Sequence, residues 1–171
     1  NIDMNVTNTI MSNGVHFPNN VYFTGNTGTW DILDDFYVMK EMDHLAGTLN
    51  TNGHMITIGN NFNIEFGPNH LARLNLSNSH FHVIKGDARF TYEHTTNNLM
   101  PGTSTVYHHT GGFITGGIVH NALYKVIFNS MKDSLPGNLG AISIQDSVIF
   151  NYFGDIRTCN HLNLAPTINT A

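Results

Sequence analysis

The chain has 171 residues, with 7 Lys and Arg against 12 Asp and Glu, a net charge of −5 and only 11% charged residues. No basic stripe interrupts it, which argues against nucleic-acid binding, since that affinity rests largely on neutralised phosphates. No run of about 18 apolar residues offers a transmembrane helix, and the lone cysteine, Cys159, permits no internal disulfide.

The missing charge is replaced by Asn, Thr, Ser and Gly rather than by apolar residues. Such residues suit turns and stacked side-chain ladders, and they avoid setting like charges one above another. By length the chain is expected to form one domain spanning 1–171. It begins without Met and shows no basic segment leading into an apolar one, so it reads as a processed product or a segment of a longer polypeptide.

In chain order, Ile2 to Thr7 alternates apolar and polar, the pattern of a half-buried strand. Val15-His16-Phe17 and Val21-Tyr22-Phe23 repeat it on either side of Pro18-Asn19-Asn20, a turn with a breaker. Trp30 to Leu33 and Phe36 to Met39 are predicted strands flanking Asp34-Asp35. A helical reading of Phe36 to Leu45 competes, but strand is the better fit to the repeats below.

Leu49-Asn50-Thr51-Asn52-Gly53-His54-Met55-Ile56-Thr57-Ile58 recurs 25 residues later as Leu74-Asn75-Leu76-Ser77-Asn78-Ser79-His80-Phe81-His82-Val83. A third copy starts 25 residues beyond Ser79, as Ser104-Thr105-Val106-Tyr107-His108. A second series, at a step of 26, links Phe36 and Val38 to Phe62 and Ile64, then Ile64 and Phe66 to Phe90 and Tyr92. Short strands recurring at a fixed period of 20–50 residues indicate stacked coils. The expected fold is all-β: a parallel β-helix with coils of about 25 residues, each strand about 4.8 Å from its counterpart. Ile56, Ile58, Phe81, Val83 and Val106 then face inward. Met55, His80 and Thr105 form one outer row, and Thr57, His82 and Tyr107 another.

Beyond Thr110 the repeat blurs. Gly111-Gly112, Gly116-Gly117 and Pro136-Gly137 read as turns, with strands at 119–128, 141–144, 148–150 and 162–164 and a last rung at Ile156.

The turn elements Gly47 to His54, Leu74 to Ser79, Pro101 to Tyr107 and Gly116 to Asn121 resemble repeats of large secreted proteins of Bacteroidetes-type bacteria. Those proteins are adhesin-like, of the type IX secretion cargo kind, and are built on right-handed parallel β-helices of the pectin-lyase-like sort. The resemblance covers roughly Val21 to Leu164. It implies a right-handed coil and an extracellular or cell-surface location, and it says little about activity. Where the family pattern usually carries an aromatic beside Gly-Gly-x-x-x-Asn, this chain has His120.

Two clusters bear candidate chemistry. Asp31, Asp34 and Asp35 form the one acidic group, and β-helix glycosidases and lyases work with carboxylates, set roughly 5–9.5 Å apart in hydrolases. The plainer reading is a solvated turn with side-chain caps on backbone N–H groups. His80 and His82 share a strand face about 6.6–7 Å apart by Cα, where metal ligation competes with an ordinary exposed ladder. Neither Tyr107 nor Met55 makes a good third ligand, so no metal and no cofactor is expected. His108 and His109 are consecutive and face opposite ways. Asn50 and Asn75 occupy equivalent positions and suit a stacked amide ladder. Ser104 and Cys159 lack a His and an acid at motif spacing.

Three functions compete. The first is a non-catalytic stalk or adhesive module, stacking on neighbouring solenoid coils or domains of the same protein. Its outer residues His80, His82, Thr105 and Tyr107 would meet glycans or a surface. The second is a polysaccharide-active β-helix enzyme, a lyase or glycosidase using Asp31, Asp34 and Asp35. The third is a pure assembly role, as in a fibre.

Overall fold

Short alternating strands separated by tight turns bury one face each, and the chain satisfies them by winding. Three parallel sheets run along a β-solenoid of about four turns. The structure is a computed structural model. It describes residues 6–25, 27–67, 70–86, 88–92, 99–109, 114–116, 122–129, 142–150, 162–164 and 167–170. No helix occurs among them.

The first sheet stacks Thr7–Ile10, Thr29–Ile32, Thr48–Asn50, Arg73–Asn75 and Leu99–Met100. The second stacks His16–Phe17, Phe36–Val38, Met55–Ile58, His80–Val83, Thr105–His108, Ala122–Phe128 and Ile142–Phe150. The third stacks Val21–Phe23, Met42–His44, Phe62–Gly67, Ala88–Tyr92 and Ile114–Gly116. One strand from each sheet makes a coil, giving successive coils over 7–23, 29–44, 48–67, 73–92 and 99–116. Past them the second sheet continues, and Ile142–Phe150 carries Leu162–Leu164 and Thr167–Thr170 side by side as its next layer. The segments expected as separate strands at 141–144 and 148–150 are thus one strand. His70–Leu71 folds back antiparallel on Phe62–Gly67.

The inner columns follow from the pleat. Phe36, Ile56, Phe81, Val106 and Val126 lie in register, each at most 2% exposed. Trp30, Leu49, Leu74 and Leu99 form the matching column of the first sheet. Each fully buried side chain of this size contributes about 1.5–3 kcal/mol.

The 25-residue step holds on the first and second sheets between the third, fourth and fifth coils, where Leu49 lies under Leu74 and Ile56 under Phe81. Elsewhere coils are about 21 residues apart. The second coil is the short one, with three corner residues (33–35) between its first two strands where the third coil has four (51–54). This corrects the expected pairing of Phe36 and Val38 with Phe62 and Ile64. Phe36 and Val38 stack under Ile56 and Ile58 within the second sheet, while Phe62 and Ile64 sit over Met42 and His44 in the third. The pairing of Phe90 and Tyr92 with Ile64 and Phe66 holds.

The repeated polar stretch is a stacked turn. Val15, His54, Ser79 and Ser104 each donate their backbone N–H to the carbonyl three residues back. The second residue of each turn has positive φ: Asn13, Asn52, Ser77 and Gly102. At Asn13-Gly14 and Asn52-Gly53 both central residues do, the arrangement that favours Asn-Gly. Gly102 is required for a second reason, since a Cβ there would collide with the Ser77 carbonyl of the coil before.

Several sequence expectations fall outside the described residues: most of Ile2 to Thr7, the turns at 111–112 and 136–137, the His120-Asn121 rung, Ile156 and Cys159.

Candidate functional site

The acidic cluster lies at the short corner of the second coil, and its geometry explains why acids sit there. With one corner residue fewer, the backbone offers too few carbonyls to the coils on either side, and carboxylates stand in for them. Asp34 accepts from Ser12 N at 2.7 Å, Asn13 N at 2.6 Å and Ser12 Oγ at 3.1 Å. Asp35 accepts from Met55 N at 2.9 Å. These bonds, the Ser12 N–H first among them, hold the Asp34 carboxyl below its usual range. Asp31 accepts from Asn50 Nδ2 at 2.7 Å.

The same pairing recurs on the third sheet and at its edge. Asn61 donates to Glu41 at 2.8 Å, and Asn63 to Asp43 at 2.7 Å. Each acid of the second coil therefore faces an amide or a backbone donor on the next coil or the previous one. The expected amide ladder between Asn50 and Asn75 is replaced by this acid–amide pairing, with Asn75 Oδ1 instead accepting from Ser77 N at 3.2 Å. Asp31, Asp34 and Asp35 are close in sequence, but their oxygens are aimed at three different backbone or side-chain targets.

The second cluster sits on the outer face of the second sheet. His80, Phe81, His82 and Val83 alternate exposed, buried, half-buried, buried. In register, His80 lies between Met55 and Thr105, and His82 between Thr57 and Tyr107. His82 and Tyr107 stack with centroids 4.4 Å apart and planes 1° from parallel. Tyr107 Oη and His80 Nδ1 are 3.3 Å apart, so the phenol donates to the imidazole. Thr105, by contrast, is nearly buried at 7% exposure.

His109 and Asn129 join this cluster, and sequence reasoning did not find them there. His108 points inward, where its Nε2 meets the Gly86 carbonyl at 2.8 Å, so His109 points outward. His109 Nε2 lies 2.9 Å from His82 Nδ1, and Asn129 Nδ2 lies 3.4 Å from His109 Nδ1. Because the amide donates to His109 Nδ1, the proton of His109 sits on Nε2 and is donated to His82. With ring centroids 5.2 Å apart and planes at 21°, the two nitrogens point straight at each other. That is the geometry of an N–H···N bond and not of two lone pairs converging on a cation. Among the described residues no group of three or more His, Cys, Asp or Glu converges to hold a metal. Burial, helped by His109 and then His80, pushes His82 down to about 4, so it is neutral at pH 7.

A third histidine shows the inner alternative. His44 is fully buried in the column of Phe23 and Ile64, edge-on to Phe23 and Trp30. Its Nε2 donates to the Gly47 carbonyl at 3.1 Å and its Nδ1 has no partner. Burial pushes it down to about 4 against the opposing pull of the Gly47 and Ala46 carbonyls.

Comparison of the chain with protein-family models, with curated proteins and with solved structures gives no match. Among the described residues no helix is long and apolar enough to cross a membrane.

Proposed function

We propose that the chain is a non-catalytic β-solenoid module of a large extracellular or cell-surface protein of the adhesin-like kind. In this reading it is a rigid spacer whose second-sheet face meets a glycan or another surface. The observation that carries this reading is the contrast in how polar groups are used. The carboxylates that hydrolysis or elimination would need are tied to neighbouring coils, whereas the His80–His82–Tyr107–His109 network is uncharged at neutral pH, outward and ordered by its own bonds. The surface location and the adhesin-like parent follow from the turn-repeat resemblance.

The test is incubation of the chain with pectins, alginates and host glycans, alongside a glycan array. Retention on glycans without turnover is expected. Turnover that disappears in Asp34→Asn, with the fold intact by circular dichroism, would replace this reading with a polysaccharide lyase or glycosidase.

A further inference from the structure

The outer column that contains His82 is aromatic on every coil but one. From the first coil to the fifth it runs His16, Tyr37, Thr57, His82, Tyr107. His16 and Tyr37 stack with centroids 4.2 Å apart, and His82 and Tyr107 at 4.4 Å. Each stack covers one ring face and leaves the other turned toward the third coil. There the column holds only Thr57, and Gly59, two residues on, has no side chain at all.

The result is a slot across the outer face, with Tyr37 as one wall, His82 as the other and Thr57 as its floor. Thr57 is 9% exposed, a floor reached only from above. Exposed Met39 lies beside the open end at Gly59, whose N–H bonds the preceding coil at the Val38 carbonyl. Met55, exposed, stands at the other end of the same strand.

Two rungs of a parallel sheet separate the walls by about 9.6 Å. A flat ring in van der Waals contact with both walls takes about 7–8 Å, so an aromatic ligand rattles. A puckered ring with axial hydrogens on both faces fills the difference and sets C–H groups against both π faces. The column carries no charged residue. The nearest carboxylate, Asp35, is bound to the Met55 N–H. The ring edges supply polar groups at the rim: the Tyr37 hydroxyl, the Thr57 hydroxyl, and His82 Nε2–H, which is the protonated nitrogen because Nδ1 accepts from His109.

We propose that this slot binds one neutral hexopyranose unit, its ring edge-inward between Tyr37 and His82 over Thr57. The proposal deepens the glycan-meeting reading above and rests on it. It moves the contact one coil from Tyr107, whose ring face is covered by His82.

The test titrates the whole chain with short neutral gluco-, galacto- and manno-oligosaccharides, followed by calorimetry and by amide and ring NMR shifts. Saturable binding that perturbs Tyr37, Thr57, Gly59 and His82 is expected from at least one of them. Tyr37→Ala removes a wall and weakens binding about tenfold. Thr57→Tyr completes the aromatic ladder, fills the slot and abolishes binding while circular dichroism stays unchanged. Thr57→Val keeps the floor's shape, loses the hydroxyl and binds a few-fold more weakly, an estimate of the order expected for one hydrogen bond. No binding by any of these sugars overturns the proposal, as does unchanged affinity in Thr57→Tyr. Binding that shifts only His80 and Thr105 overturns the slot but leaves a sugar-binding face. Preference for a planar probe such as N-acetyl-phenylalaninamide overturns the pyranose assignment. Slot binding accompanied by turnover upholds the slot and removes the non-catalytic reading.

Discussion

His44 and His82 sit on the same kind of strand in the same solenoid, and burial pushes both down to about 4. They differ in which side of the pleat they occupy. His44 faces the interior, where one carbonyl satisfies one nitrogen and the other has no partner. His82 faces outward, where His109 completes its hydrogen bonding and Tyr107 covers its ring. Within a solenoid, residue type says little about role. The parity of the position decides whether an imidazole is a constraint on the core or a group presented to a partner.

The largest effect that tests this contrast comes from the strand His80–Val83, where neighbours alternate sides. Phe81→Ala opens the inner column between Ile56 and Val106 and is expected to cost about 3–5 kcal/mol in urea unfolding. His82→Ala on the next residue should cost well under half of that. Equal losses would mean that the pleat does not separate core from surface as described.

The second effect is the pH dependence set by His44. Its folded pKa, about 4, lies below the ordinary value of 6.5, so the unfolded chain binds the extra proton first. The contribution is therefore fully present above pH 6.5 and is lost as pH falls toward 4, reaching about 3 kcal/mol over that window. His44→Phe suits a column already lined by Phe23 and Ile64 and should flatten the dependence of unfolding free energy on pH between 6.5 and 4. An unchanged slope would assign the acid sensitivity elsewhere.

The parts of this arrangement that the sequence discloses are those where coil length is constant. Leu49 over Trp30 is invisible as a repeat because the short second coil sets them 19 residues apart, whereas Leu49 under Leu74 and Ile56 under Phe81 share one 25-residue step. The same short coil explains the false match of Phe36 with Phe62: a 26-residue step there crosses from one sheet to the next. The alternation that puts His80 and His82 outside is legible from parity alone. His109 was not placed with them because, of two adjacent histidines, only the register of Thr105–His108 shows which one leaves the core. The role of Asp34 and Asp35 depends on a missing corner residue, which no local pattern in their own segment reveals. The slot at Thr57 is a gap in a column, and a gap exists only once the neighbours are known.

The smallest effect isolates the outer network itself. A double-mutant cycle of His82→Ala and His109→Ala should return a coupling of about 0.5–1.5 kcal/mol, the value of one neutral hydrogen bond at a half-exposed site. The sign and size matter less than the accompanying tautomers. Asn129 donates to His109 Nδ1, so nitrogen NMR should place the His109 proton on Nε2, and the His82 proton on Nε2 as well, from pH 7 down to about 5. Asn129→Ala frees His109 to exchange tautomers, and His82 would then lose its fixed acceptor role without losing its stack on Tyr107. If both histidines titrate together near 6.5 instead, the face becomes cationic in mild acid, and a site for neutral ligands loses its chemical basis. The distinction between an inner histidine held neutral by burial and an outer one held neutral by its partners rests on that measurement.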